Sequence, residues 1–94
     1  MQLRFEWDKR KAEINLRKHG ISFDEAQSVF VDDLSIAIPD PDHSTEEERS
    51  VIIGISRSGH TLVVCYVERN DAVRLISARR ATRAGRGKYE QASL

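Results

Sequence analysis

Three runs rich in Val, Ile and Leu, separated by turns of only a few residues, constrain this chain more than any other feature. Residues 49–56, 61–68 and 73–78 each read as a strand. The links between them, Arg57-Ser58-Gly59-His60 and Arg69-Asn70-Asp71, are too short for a crossover. The three strands therefore run as antiparallel neighbours joined by hairpins. With 94 residues, the chain is expected to form one domain, residues 1–94, around one core.

The segments before the meander supply strands and helices in alternation. Residues 3–7 read as a short strand with Phe5 and Trp7 on one face. Asp8 is a good N-cap for a helix over 9–19, in which Ala12, Leu16 and His19 share a face, and Gly20 suits its C-terminus. Ser22-Phe23-Asp24-Glu25 is a capping-box pattern, the Ser22 hydroxyl capping and Glu25 reaching back. Phe23, Ala26 and Phe30 then mark a second helix, ended by Asp32-Asp33. Residues 34–38 read as a strand stopped by Pro39, and 39–45 as a loop. Thr82 opens a C-terminal segment of helical length running to 94. Gly85 and Gly87 each cost about 1 kcal/mol inside a helix, so this is expected to be the least ordered element. The order is β-α-α-β-β-β-β-α, an α+β fold: an antiparallel sheet packed by two N-terminal helices. The C-terminal segment lies beside the other sheet face, where it forms a groove.

The net charge is zero, from 15 basic and 15 acidic residues. The zero hides a pattern. Residues 1–21 carry net +3, residues 22–48 net −9, residues 49–71 net +1 and residues 72–94 net +5. Two basic blocks thus flank an acidic one, which favours an anionic partner at the chain's ends. The acidic block is expected to face away from any such partner, to solubilise the chain or to meet a protein. The longest apolar run, residues 62–67, is far too short to span a membrane, and the N-terminus has no apolar signal segment. A cytoplasmic protein is expected. Cys65 is the only cysteine, and its place in the most apolar strand predicts a buried, reduced thiol. The three histidines are scattered, the acidic cluster of Asp40, Asp42 and Glu46 to Glu48 lacks the glycine of a calcium loop, and no glycine-rich phosphate loop is present. No metal or cofactor is expected.

Phe5-Glu6-Trp7-Asp8, Asn15-Leu16-x-Lys18-His19-Gly20-Ile21-x-Phe23-x-x-Ala26, Glu48-Arg49, Gly54, and Ile76-Ser77-Ala78-Arg79-x-Ala81-Thr82 together resemble the signature of the BrnT toxin family. The resemblance spans nearly the whole chain, and the Lys-His-Gly and Ile-Ser-Ala-Arg segments are its most specific parts. It implies a RelE-like fold and a ribonuclease toxin of a type II toxin–antitoxin module. It also implies neutralisation by a small BrnA-type antitoxin, through which alone the toxin meets operator DNA. One departure stands out. The family carries a Glu three residues after Ala81-Thr82; here that position is Gly85, followed by Arg86, Gly87, Lys88 and Tyr89.

Metal-independent RNA cleavage needs a proton shuttle, cations around the phosphorus and a surface on which to stack a base. His19 is suited to the first role, or serves as a helix C-cap; Lys18 is the alternative shuttle or a solvated side chain. Arg79, directly after a buried strand, is read as a phosphate ligand, with a structural ion pair as the other reading. Arg49 joins it or pairs with Glu46, Glu47 or Glu48. Arg80, Arg83, Arg86 and Lys88 read as a basic strip along an RNA backbone, or as a solvated helix face. Trp7 and Tyr66 are candidates for base stacking, with core packing as the other reading of Trp7. Tyr89 either touches RNA or anchors the C-terminal segment. The competing function is a toxin-like binding module without catalysis, to which the missing Glu points. A free-standing DNA-binding repressor is disfavoured, because the second helix is acidic.

Overall fold

Side-chain alternation along the meander fixes the position of everything else. In the computed structural model, which describes residues 3–40 and 49–92, β3 (Arg49–Ile55), β4 (Thr61–Arg69) and β5 (Ala72–Arg80) pair antiparallel, as their short turns require. Ile52, Leu62, Val64, Tyr66, Val73, Leu75 and Ala78 bury one face of this sheet. β2 (Ile36–Pro39) pairs antiparallel with β3, and β1 (Arg4–Glu6) pairs with β5, giving the order β1-β5-β4-β3-β2. Pro39 belongs to the strand instead of stopping it, which an edge position allows because no neighbour needs its missing N–H.

The β1 pairing is parallel, so the sheet is mixed, not wholly antiparallel as expected. The reason lies in the direction of the chain. Glu6 is level with Arg74, and Asn15 in the following helix meets Ala78 further along, so strand and helix both advance in the direction of β5.

Helix α1 (Lys9–His19) is capped as its sequence indicates. The Asp8 carboxylate accepts from the Arg10 N–H at 2.8 Å, and Gly20 takes φ 71°. Its buried residue is Asn15, however, while Leu16 and His19 are exposed and Ala12 is half-buried. The helix meets β5 through hydrogen bonds, not through an apolar stripe. Asn15 Nδ2 donates to the Ala78 and Ile21 carbonyls, each at 2.9 Å, and Asn15 Oδ1 accepts from the Ala78 N–H at 3.0 Å.

Helix α2 (Phe23–Gln27) continues as a 3-10 turn, Ser28–Val31. Ile21, Phe23, Ala26 and Val29 pack on the buried sheet face, with Phe30 stacked edge-on between Phe5 and Tyr66 at ring distances of 5.1 and 5.0 Å. The Ser22 hydroxyl caps α2, but Glu25 does not reach back; it faces the β3–β4 hairpin instead. Where the turn crosses β3 there is room only for glycine. A Cβ at Gly54 would sit 2.9 Å from Val29 Cγ1 and 3.0 Å from Ser35 Cβ.

The C-terminal segment forms helix α3 (Arg83–Ala92) despite its glycines. The Thr82 hydroxyl caps it, accepting from the Gly85 N–H at 3.2 Å. Tyr89 anchors it, donating to Asp32 Oδ2 at 2.7 Å.

Candidate functional site

The side of the sheet opposite the core carries the candidate chemistry, and a β-bulge puts it there. Cys65 pairs with Ser77 but Tyr66 pairs with Leu75, leaving Ile76 extra in β5. Strict alternation from Val73 and Leu75 would turn Ser77 and Arg79 into the core. The extra residue shifts the phase, so Ala78 is buried and Ser77 and Arg79 face the open side. Arg79 is therefore the penultimate residue of the strand and does not follow it.

Arg79 shares a concavity of about 440 Å³ with Arg49, Asp40, Val51, Val63, Cys65, Ile76 and Ser77. Arg49 arrives from the first residue of β3. Its possible pairing with Glu46, Glu47 or Glu48 lies outside the described residues, as do His43, Asp42 and most of the expected loop. Asp40 sits inside the concavity, against the expectation that the acidic block faces away, with its carboxylate 3.9 Å from Cys65 Sγ. Cys65 is half-buried on this open face, not in the core. Burial, and then the Asp40 charge, hold its thiol above the usual range, so it stays protonated at neutral pH.

Lys18 and His19 end α1 in a second concavity, lined also by Lys11, Ile14 and Asn15. Ile76 and Ser77 line both hollows, so the bulge is the wall between them. Both side chains are exposed to solvent.

The aromatic assignments change. Tyr66 is 6% exposed beneath Phe30 on the core face, and is unavailable to a base. Trp7 packs edge-on against Phe23 at 5.9 Å, half-buried at the core margin. Tyr89 is the anchor of α3, not an RNA contact. Its hydroxyl is pushed up to about 12 by the hydrogen bond to the Asp32 carboxylate and by burial. Arg83, Arg86 and Lys88 are exposed on α3 but do not form one strip. At about 100° per residue, Lys88 is turned by about 140° from Arg83.

Sequence reasoning missed a polar cluster at the β3–β4 hairpin. Glu25 Oε2 accepts from the Ser56 hydroxyl at 2.6 Å and faces His60 Nδ1 at 2.9 Å, while Arg80 Nη2 lies 3.1 Å from His60 Nε2. Burial works against the Glu25 charge, but the Ser56 and His60 contacts outweigh it and hold the carboxyl below its ordinary value. The capping-box motif concealed this role, because it offered Glu25 a local partner. Asp32 was likewise read only as a helix end. Its carboxylate accepts from Leu34, Ile55 and Tyr89. Among the described residues no cluster of ligating side chains fits a metal, and no helix is long and apolar enough to cross a membrane.

Comparison with known proteins places this arrangement. No curated protein matches the sequence. A solved structure, the 1.1 Å crystal structure of the Brucella abortus ribonuclease toxin BrnT, matches with a TM-score of 0.68 at 22% identity, covering 87% of this chain and 100% of that one. That likeness shows a shared fold. The family model described as "Ribonuclease toxin, BrnT, of type II toxin-antitoxin system" matches residues 7–84, which takes in α1, the whole sheet from β2 onward and Arg79. The chain belongs to the BrnT family of ribonuclease toxins of type II toxin–antitoxin systems.

Proposed function

We propose that this chain is a metal-independent endoribonuclease that arrests growth by cutting RNA in the cytoplasm, and that a BrnA-type antitoxin neutralises it. In this reading residues 1–94 work as one RelE-like domain, and operator DNA is met only through the antitoxin. The observation that carries the reading is the bulge-driven meeting of Arg49 and Arg79 over the open sheet face. Two guanidinium groups in a shallow hollow suit a phosphate that gains negative charge as the 2′-oxygen attacks. Lys18 and His19 stand across the bulge to ligate a neighbouring phosphate or move a proton. Arg80, Arg83 and Arg86 extend the cationic surface past the end of β5. The test is incubation of labelled RNA with the folded protein in EDTA. Cleavage is expected, with loss on Arg79→Ala; intact RNA would refute it.

Position 85 favours a second reading. A side chain there starts from the packed face of α3, where a Cβ would lie 4.0 Å from Val63 Cγ2, and Val63 is the cross-strand partner of Arg79. An acid at 85 would thus come within reach of Arg79, and Gly85 removes it. The Cβ meets nothing closer than 3.4 Å, so Gly85→Glu fits without rearrangement. Cleavage by that variant alone would show that this chain is a disarmed form, as the reading of a toxin-like binding module acting through its antitoxin complex requires.

A further inference from the structure

The hairpin cluster has the parts of a proton-transfer site. Among the described residues, Glu25 and His60 are the carboxylate and imidazole in hydrogen-bond contact. Glu25 is held from two sides. Ser56, 4% exposed, donates to its Oε2, and the Ser28 hydroxyl, donating to the Glu25 carbonyl, also accepts from the Arg57 N–H at 2.9 Å. The pair is thereby built into the fold, with α2 clamped to the hairpin. A carboxylate at Nδ1 sets the tautomer: Nδ1 carries the proton and donates to Glu25, and Nε2 keeps its lone pair. That lone pair points outward, where the exposed Arg80 guanidinium donates to it. An anionic phosphate is a stronger acceptor than a neutral imidazole nitrogen, so a bound phosphodiester draws Arg80 away and uncovers Nε2. Arg79 starts from the opposite side of the sheet but bends over the end of β5, its Nη1 3.3 Å from the Arg80 carbonyl. Ala81 N–H donates to the Thr61 carbonyl at 2.9 Å, keeping His60 beside the start of the basic C-terminal block.

Building on the ribonuclease reading above, we propose that His60 is a catalytic base for RNA cleavage, with Arg80 joining Arg79 on the reacting phosphate at the end of β5 and Glu25 and Ser56 as positioning residues. His60 Nε2 takes the 2′-hydroxyl proton as the 2′-oxygen attacks phosphorus. The bond from phosphorus to the 5′-oxygen breaks, and the leaving oxygen takes a proton from water. A 2′,3′-cyclic phosphate and a 5′-hydroxyl result, and His60 returns its proton to solvent. No oxidant or metal enters the balance. The charged groups that face the imidazole are Glu25 from α2 and Arg80 from β5, with Arg57 acting on Glu25 from the hairpin.

The test uses the full chain, a labelled oligoribonucleotide and EDTA. His60→Gln is expected to lower kcat by about 10²-fold or more, with KM within about threefold of the parent. Glu25→Gln is expected to move the acid limb of the kcat/KM profile to lower pH, because loss of the carboxylate disfavours the imidazolium. A tie between α2 and the hairpin without a role in proton transfer would leave that limb in place. Parental cleavage together with unchanged kcat in His60→Gln, or with an unmoved limb in Glu25→Gln, overturns this assignment and leaves the ribonuclease reading standing. Parental protein that leaves RNA intact overturns both. Should His60→Gln fail to fold, the His60 imidazole resonances of the parent decide the matter. They shift on titration with a 2′-deoxy oligonucleotide if the assignment holds, and stay fixed if it does not.

Discussion

Two residues carry more of this fold than their size suggests. Gly54 lets the 3-10 turn lie directly on β3, with Val29 where a Cβ would go. Gly54→Ala is expected to destabilise the chain by about 1–3 kcal/mol through overpacking, read as a lower midpoint in thermal or denaturant unfolding. Tyr89 works through charge. Its hydrogen bond to the Asp32 carboxylate contributes about 1.5–3 kcal/mol, typical of a bond to a charged group, and Tyr89→Phe removes it. The sign with pH follows. The folded state raises the Tyr89 hydroxyl from 10 to about 12, so its contribution is complete below pH 10 and is lost between pH 10 and 12. The stability gap between parent and Tyr89→Phe, measured by denaturant titration, is expected to be full at pH 8 and to close by pH 12. Asp32 and Glu25 behave oppositely. Both are held below their ordinary values against the pull of burial, Asp32 by the Ile55 and Leu34 amides and Tyr89, so their contribution fades as pH falls through the acid range.

Among the elements, α3 shows how propensity and anchoring divide the work. Gly87 has open space around its Cβ position and no positive φ, so Gly87→Ala is expected to stabilise the protein by about 1 kcal/mol, measured as a higher unfolding midpoint. The sequence predicted the cost of its glycines and offered Tyr89 as an anchor, but not the partner Asp32, because the two lie 57 residues apart. The same divide runs through the rest of the chain. Strand runs, caps at Asp8 and Ser22, and the turn at Gly20 are local, and each was legible. The direction of β1 and the extra residue at Ile76 depend on what lies alongside in space, and no periodicity within one strand reports them. The candidate site divides likewise. Arg49 and Arg79 were found from their types and positions, whereas the Glu25–His60–Arg80 cluster joins three elements and left no trace in spacing. Tyr66 was misplaced for a related reason: an aromatic in a strand can face either way, and the cross-strand register decides which.

The chain as a whole is neutral, so on the proposed ribonuclease reading its attraction to RNA at a distance is expected to be weak and binding to rest on local cations. Each guanidinium that touches a phosphate on single-stranded RNA adds about 0.7 to the slope of log affinity against log salt. Arg79→Ala is expected to reduce that slope by about one such unit in filter-binding or anisotropy titrations, whereas Asp40→Asn, which removes a competing carboxylate from the same hollow, is expected to raise affinity.

Asn15 has a further consequence for how copies of this protein meet. β1 stops at Glu6, level with Arg74, so the outer rim of β5 beyond that point has no strand beside it. Unpaired rims recruit strands from other molecules. Here one carboxamide occupies both the N–H and the carbonyl of Ala78, as a neighbouring backbone would. At Ala78, therefore, the rim has no free backbone N–H or carbonyl to offer a strand from another molecule.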